Sequence, residues 1–174
     1  IHSVPTVYAV EHNTITIVQE SVEIDYGNKI TISITVTSGI DSVESVRALF
    51  KPRGGSTVWS YSYPEFSTSN MGISLNLEIP TGPGSYYPPG TEFDIEIEIV
   101  DTEGSVSIAK SDESIQYLDP SKNWKTAKGN GFSIFYYGIR ASKVENLIAQ
   151  VNSRIPLLQK VSGVSKTPEF KAIV

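Results

Sequence analysis

The chain has 174 residues, of which 39% are hydrophobic and 19% charged, and its formal net charge is −5. This composition predicts a folded chain with a sizeable core and excludes wholesale disorder, while the negative charge disfavours a general nucleic-acid binder. Cysteine is absent, which excludes disulfides, thiolate zinc sites and a cysteine nucleophile, and the apolar runs are too short for a membrane span.

Residue type and charge both vary along the chain. Ile, Val and Thr occupy 49 of the 174 positions, which favours sheet. Residues 1–119 hold 5 Lys and Arg against 17 Asp and Glu, a net charge of −12, whereas residues 120–174 hold 9 against 2, a net charge of +7. Because the hydrophobic period also changes there from alternating to helical, we predict two domains, 1–119 and 120–174, with a boundary at Asp119-Pro120.

The first 119 residues carry the pattern of short strands. Three segments, 30–36, 73–79 and 93–99, alternate between apolar and polar residues, which places each apolar row on one strand face. Weaker strand candidates are 14–18, 43–50, 57–63, 106–109 and 114–118, and turn signals fall at residues 26–28, 52–55, 81–84 and 101–104. With no helical pattern between them, these strands predict an antiparallel β-sandwich, immunoglobulin- or fibronectin-like, with a jelly roll as the alternative.

One predicted strand has an acidic outer face. Along residues 91–100, Glu92, Asp94, Glu96 and Glu98 point away from the apolar row. Such a row indicates either a surface for calcium or a cationic partner, or a face that is solvated or paired across strands and resists edge-to-edge association. We favour the second interpretation, because calcium sites gather their oxygens from loops rather than from one straight row.

Residues 120–174 show a strand, a helix and a second strand. The strands are predicted at 131–137 and 170–174 and the helix at 142–161, ending at Gly163. Ser142 and Glu145 have capping-box spacing, and Pro156 is expected to kink the helix. The predicted apolar stripe of the helix consists of Val144, Leu147, Ile148, Val151, Ile155 and Leu158. This β-α-β segment has little core of its own, so we expect an incomplete α/β domain.

Candidate chemistry is sparse. His2 and His12 are the only histidines, and they favour ordinary surface residues over a zinc site because no H-E-x-x-H helix contains them. Gly82-Pro83-Gly84 precedes a strand rather than a helix, which indicates a turn and not a phosphate loop. No G-x-S-x-G motif is present, and we assign no catalytic, cofactor-binding or metal-binding residue.

Two groups of side chains leave a binding role open. The exposed tyrosines indicate either a carbohydrate or peptide platform or plain edge packing: Tyr61, Tyr63, Tyr86 and Tyr87. The basic residues after Pro120 favour a solvated face over a nucleic-acid site: Lys122, Lys125 and Lys128.

The segment from Tyr86 onward resembles a bacterial family of secreted proteins with a peptidase MA-like, gluzincin-type domain. The matching residues, in order, are Tyr87-Pro88-Pro89-Gly90-Thr91-Glu92-Phe93, Asp101-Thr102-Glu103-Gly104, Tyr117-Leu118-Asp119, Trp124 and Phe135-Tyr136-Tyr137-Gly138. The resemblance covers roughly residues 85–174 and implies a sandwich-like module followed by the start of the peptidase-like domain. Pro156 departs from the uninterrupted helix of that family.

The resemblance implies a function for the whole protein rather than for this chain. The family's chemistry needs an H-E-x-x-H helix that binds zinc, and none occurs before Val174, so no catalytic residue carries over and zinc is expected only with such a motif downstream. We therefore expect a non-catalytic N-terminal region of a secreted or surface-anchored bacterial metallopeptidase-like protein, with a protein or peptide substrate or a cell-envelope component as partner. The alternative is a standalone extracellular adhesion or ligand-binding sandwich without a peptidase.

Overall fold

The structure is a computed structural model that describes residues 16–37, 42–54, 57–70, 72–164 and 170–174. It is mainly β, and it divides into two compact units. The described part of the first unit lies within Ile1–Glu23, Thr31–Ile79 and Phe93–Ile115, and that of the second within Ile24–Ile30, Pro80–Glu92 and Gln116–Val174. Each unit thus draws on several segments, and the predicted domain boundary at Asp119 stays a prediction.

Twelve strands and one helix make up the described chain. In chain order they are β1 (Thr16–Asp25), β2 (Lys29–Thr37), β3 (Val43–Pro52), β4 (Ser60–Ser62), β5 (Phe66–Ser69), β6 (Gly72–Pro80), β7 (Glu92–Asp101), β8 (Val106–Lys110), β9 (Ile115–Gln116), β10 (Lys125–Lys128), β11 (Phe132–Tyr136), α1 (Ala141–Ser162) and β12 (Phe170–Ile173).

The first eight strands form the two sheets of a sandwich. One sheet has the order β1-β2-β6-β5 and the other has the order β4-β3-β7-β8, with β9 also pairing with β7. If the strands are lettered in immunoglobulin fashion, the first sheet is A-B-E-D and the second is C′-C-F-G. The prediction of an immunoglobulin-like antiparallel sandwich is therefore confirmed, and the jelly-roll alternative is not needed.

The three strongest alternating patterns form the core of the sandwich as predicted. Every second residue of β2, β6 and β7 is buried, which gives three rows: Ile30, Ile32, Ile34 and Val36; Ile73, Leu75, Leu77 and Ile79; Phe93, Ile95, Ile97 and Ile99. In β3 the inward row is shorter, with Val46, Ala48 and Phe50 buried. The period of two is reliable here because each of these strands has one face in the core and one face outside it.

The weaker strand predictions differ from the structure at their ends. β1 extends to Asp25, well beyond the predicted segment 14–18, whose first two residues lie outside the described chain. The predicted segment 57–63 contributes only the three residues of β4. Strands β5 and β10 were not predicted, because neither FSTS nor KTAK contains an alternating apolar row.

In the second unit, β10, β11 and β12 form a three-stranded sheet in that order. β10 pairs antiparallel with β11, and β12 pairs parallel with β11, with Ile134 opposite Ala172. Parallel neighbours need a crossover connection, which α1 provides, so the predicted β-α-β unit is confirmed. Its core consists of Phe132, Ile134, Tyr136, Val144 and Ile155.

Helix α1 has a different N-cap residue from the one that the sequence predicts. Arg140, in extended conformation, is the N-cap and makes no side-chain capping hydrogen bond, so the predicted Ser142 capping box is wrong: Ser142 lies inside the first turn. The helix continues past Pro156 and ends at Gly163, as predicted, with Gly163 in the left-handed conformation at φ 70°.

In the described ranges, no helix has both the length and the apolar character that a membrane span requires.

The inward row of β6 gives a direct test of the core. Leu77 is fully buried, and we expect Leu77→Ala to lower the free energy of unfolding by about 2–5 kcal/mol, since it removes packing and leaves a cavity. Val106, on edge strand β8, is 58% exposed, so Val106→Ala should change it by less than about 0.5 kcal/mol. Urea unfolding of both variants measures the difference, and equal effects would contradict the assigned core.

Candidate functional site

The acidic row of β7 is paired with cations. Glu98 Oε2 lies 2.6 Å from Nη2 of Arg47, and Glu96 Oε1 lies 2.8 Å from Nζ of Lys110. Asp94 Oδ1 lies 2.7 Å from Nη2 of Arg53. Of the two interpretations of this row, the structure therefore corresponds to a face paired across strands. Among the described residues, no group of three or more His, Asp and Glu side chains is placed to hold a metal ion.

The pairing follows from the strand register. β3 places Arg47 opposite Glu98 and Lys51 opposite Asp94, while β8 places Lys110 opposite Glu96. Directly paired residues of antiparallel strands share a face, so each carboxylate has a cation beside it. Only five Lys and Arg residues occur before Pro120, and four of them lie on this one face of the sheet or at its end: Arg47, Lys51, Arg53 and Lys110.

Aromatic rings border the cations on the edge strand β4. Tyr61 pairs with Leu49 of β3, and the ring of Trp59 lies beneath Lys51, with Nζ 4.6 Å from the ring centroid. The guanidinium carbon of Arg47 lies 5.8 Å from the Tyr61 centroid, and the Tyr61 and Tyr63 rings meet edge to face at 5.9 Å. Such cation–π contacts attract the cationic groups to the faces of the rings.

These side chains form a surface that we call the aromatic–ionic face. Its members are Trp59, Tyr61, Tyr63, Arg47, Leu49, Lys51, Arg53, Asp94, Glu96, Glu98 and Lys110. Tyr61 and Tyr63 are 62% and 67% exposed, so the rings remain available to a ligand. The sequence drew attention to the acids and the two tyrosines separately, but it missed Trp59 and the cations that join them.

Arg47 connects the acidic and aromatic parts of this face. Its hydrogen bond to Glu98 is the main reason that the pKa of Arg47 is raised above its ordinary value, and the neighbouring Tyr63 adds to the effect. The Arg47 side chain contacts both a carboxylate and a ring, which fixes the position of one relative to the other.

A shallow cleft of about 220 Å³ opens on the aromatic–ionic face. It is lined by Lys51, Trp59, Asp94, Ile95, Glu96, Lys110 and Ser111. The cleft presents an aromatic ring, two carboxylates and two ammonium groups to one small volume. A second groove, of about 410 Å³, lies on the opposite sheet and is lined mainly by Ser and Asn side chains with Phe66.

In the second unit, the residues of the family resemblance build the fold around Tyr117. Its ring is buried and stacks on Tyr26 at 4.9 Å, and its hydroxyl accepts a hydrogen bond of 2.8 Å from the Gly27 N–H. Its backbone pairs with the proline-rich loop: the Gly90 N–H donates to the Tyr117 carbonyl, and the Tyr117 N–H donates to the Thr91 carbonyl. Burial is the main reason that the pKa of Tyr26 is raised.

The acidic link and Trp124 complete this arrangement. Trp124 Nε1 donates to the Asp119 carbonyl at 2.8 Å, and its ring meets Tyr137 edge to face at 4.7 Å. Lys122 lies 3.8 Å from the Asp119 carboxylate, with its ammonium group 5.8 Å from the Tyr137 centroid. These contacts hold the segment between β9 and β10 in place.

The remaining candidate residues lie in several separate parts of the sequence. His2 and His12 lie outside the described residues. Residues 82–84 form the predicted turn, and Lys122, Lys125 and Lys128 are exposed, as a solvated face requires. Tyr86 is 76% exposed and belongs to the second unit, whereas Tyr61 and Tyr63 belong to the first.

The proline-rich loop gives a matched pair of glycine substitutions. Gly90 and Gly84 have φ values of 81° and 89°, so Ala at either position should cost roughly 1–2 kcal/mol in backbone strain. A Cβ on Gly90 would also lie 2.6 Å from Cδ1 of Ile173, whereas Gly84 has open space. We expect urea unfolding to show a larger loss for Gly90→Ala, by about 1 kcal/mol.

Removing the obstructing side chain tests the cause of that difference. In a double-mutant cycle, Gly90→Ala should cost less in an Ile173→Ala background than in the natural chain, since the clash is gone. Equal costs in both backgrounds would mean that Ile173 does not pack on Gly90.

Asp119 gives a test in solution. The side-chain hydrogen bond from Ser121, followed by the one from its backbone N–H, lowers the pKa of Asp119 below 3.8, and Lys122 contributes less. The ionised form is the stabilised one, so its contribution is present above the unfolded pKa and is lost as the pH falls through the folded value. NMR titration should show the Asp119 pKa raised more by Ser121→Ala than by Lys122→Met, and the reverse order would contradict this assignment.

Comparisons with known proteins do not identify the chain. No protein-family model matches it, and no match was found among curated proteins. The resemblance of residues 85–174 to peptidase MA-like proteins therefore stays a prediction.

Proposed function

We propose that this chain is the non-catalytic N-terminal region of a secreted or surface-anchored bacterial metallopeptidase-like protein. Its role there is to position the peptidase-like domain or to hold substrate near it. The observation that carries the proposal concerns the apolar residues of α1. One apolar side of the helix packs in the core of the second unit, whereas another apolar side is exposed.

The packed side of the helix is short. Val144 and Ile155 are buried against β11, and Ile148 and Val151 pack beside them. Four further apolar residues are exposed, three of them by more than half: Leu147, Leu157, Leu158 and Val161. Of the predicted stripe, Leu147 and Leu158 are therefore outside the core. A globular domain usually covers the apolar side of such a helix with further elements, and we propose that a later part of the same domain does so here.

The motif residues support the same interpretation. Gly90, Thr91 and Tyr117 join the proline-rich loop to β9, and Lys171 of β12 forms an ion pair with Glu92. Except for Phe93 and the turn at residues 101–104, the segments that match the family thus belong to one unit together with the β-α-β segment.

A second candidate function is a standalone adhesion or ligand-binding sandwich. It is favoured by the aromatic–ionic face, which the first unit builds from its own residues and which needs no second domain. Exposed Tyr and Trp beside Arg are the residue types that binding surfaces favour. The two candidate functions differ in whether the second unit continues into a peptidase-like domain.

The gene sequence downstream of the Val174 codon tests the first proposal. We expect an H-E-x-x-H motif on a predicted helix within roughly a hundred residues, and zinc bound to the longer protein. A stop codon, or a continuation without such a helix, would overturn the metallopeptidase-like assignment and leave the standalone module.

The helix itself gives an independent measurement. Val161 is 79% exposed, so Val161→Lys should change the free energy of unfolding of this chain by less than about 0.5 kcal/mol. In the longer protein the same variant should cost about 1–3 kcal/mol, because it would bury a charge. Gln150→Lys, on an exposed polar position of the same helix, should have little effect in either protein. Equal tolerance of Val161→Lys in both proteins would contradict the proposed cover.

A further inference from the structure

We infer that the cleft beside Trp59 on the aromatic–ionic face binds the sugar rings of a neutral, extended glycan. The inference rests on the second candidate function, the ligand-binding sandwich, and it names the class of ligand and the surface that holds it.

The edge strand supplies the surface for stacking. Tyr61 lies in β4, and Trp59 and Tyr63 directly precede and follow its three residues, so the three rings are spaced two positions apart along the chain. The face of an aromatic ring is electron-rich, and it attracts the slightly positive C–H groups on the flat side of a pyranose ring. Because Tyr61 and Tyr63 are more than half exposed, successive rings of a sugar chain can reach the side chains along the strand.

The side chains that line the cleft include hydrogen-bond acceptors and hydrogen-bond donors side by side. Carboxylate oxygens accept and ammonium groups donate, and here Asp94 and Glu96 lie beside Lys51 and Lys110 in the same volume. A sugar hydroxyl both donates and accepts, so neighbouring hydroxyls can bond to a carboxylate and an ammonium group together. The Lys110–Glu96 pair, at 2.8 Å with Lys110 largely exposed, is placed for this double contact.

The charges of the cleft favour a neutral ligand. Its two Lys side chains balance its Asp and its Glu, and Asp94 also contacts Arg53, so the lining carries no excess of negative charge. An anionic or a cationic polymer would have to displace one partner of an existing ion pair. A neutral glycan can use the same atoms while the pairs stay formed.

The fold favours a glycan over a peptide on this face. A peptide that extends a sheet gains most of its affinity from backbone hydrogen bonds along an edge strand. The edge strand here, β4, has only three residues, so an added strand would gain few such bonds. The opposite groove, with no Tyr or Trp in its lining, has Ser33 bonded to Asn76 at 3.0 Å and serves as an internal comparison.

The experiment uses the complete chain labelled with 5-fluorotryptophan. Its two tryptophans, Trp59 and Trp124, give separate 19F NMR signals, and Trp124 belongs to the other unit and serves as the internal control. The probes are cellotetraose, chitotetraose and maltotetraose up to about 10 mM, a range suited to a Kd near 1 mM. We expect at least one of them to shift the Trp59 signal and leave that of Trp124 unchanged, with an affinity that stays constant between about 0.05 and 0.5 M salt.

Variants test which side chains bind the sugar. By titration calorimetry, Trp59→Ala and Tyr61→Ala should each weaken binding about tenfold or more, since each removes a stacking surface. Tyr61 is largely exposed, so Tyr61→Ala should leave the fold intact even if Trp59→Ala does not. The matched controls are Tyr86→Ala, an exposed tyrosine of the other unit, and Asn76→Ala in the opposite groove, and both should bind as the natural chain does.

Three results would overturn the inference. These are no shift of the Trp59 signal with any of the three tetrasaccharides, binding that Trp59→Ala and Tyr61→Ala leave unchanged, or binding only of tetragalacturonate or of a lysine-rich peptide that salt abolishes. None of them bears on whether a zinc helix follows Val174, so a failure here and a failure of the proposed function are distinguishable.

Discussion

The sandwich depends on strand β7, in which one face is buried in the core and the other face carries a row of acidic side chains. Its inward row is fully apolar and buried, and its outward row is acidic, with like charges about 7 Å apart. Such a row is stable in the middle of a sheet only if the neighbouring strands bring cations, and β3 and β8 do so through Arg47 and Lys110. Arg47 and Lys51 also contact aromatic rings, those of Tyr61 in β4 and of Trp59 beside it, and together these side chains make up the aromatic–ionic face.

The second unit depends on a different kind of contact. Tyr117 joins the turn at Gly27 and the loop at Gly90 through one side-chain and two backbone hydrogen bonds, and Trp124 fixes the link that follows. The residues that carry the family resemblance are thus tied to local geometry: a glycine where φ is positive, and rings where the chain must turn. They explain how the unit folds. A resemblance of this kind predicts architecture more directly than activity.

The sequence predicted what a period of two or a period near 3.6 can encode. β2, β6 and β7 were found with their buried rows because every inward residue is apolar, whereas FSTS of β5 and KTAK of β10 have no such row. The helix stripe was predicted too broadly, since a sheet of three strands covers only one side of α1 and leaves Leu158 exposed. Ser142 has the spacing of a cap, but the turn after Gly138 places Arg140 at that position. The aromatic–ionic face depends on the pairing register of four strands, which no single segment reveals.

On the aromatic–ionic face acidic and basic side chains are paired, whereas residues 1–119 as a whole are strongly acidic. Residues 1–119 carry a net charge of −12, although four of their five basic residues lie on one sheet face or at its end. At a Debye length of about 8 Å, exposed charges farther away than this are largely screened, so the side chains of the face itself set its field. On this face Asp94, Glu96 and Glu98 each contact a cation, so the local field is weak while donors and acceptors remain available. A surface with a weak field, paired hydrogen-bonding groups and open aromatic rings selects for neutral, hydroxyl-rich ligands.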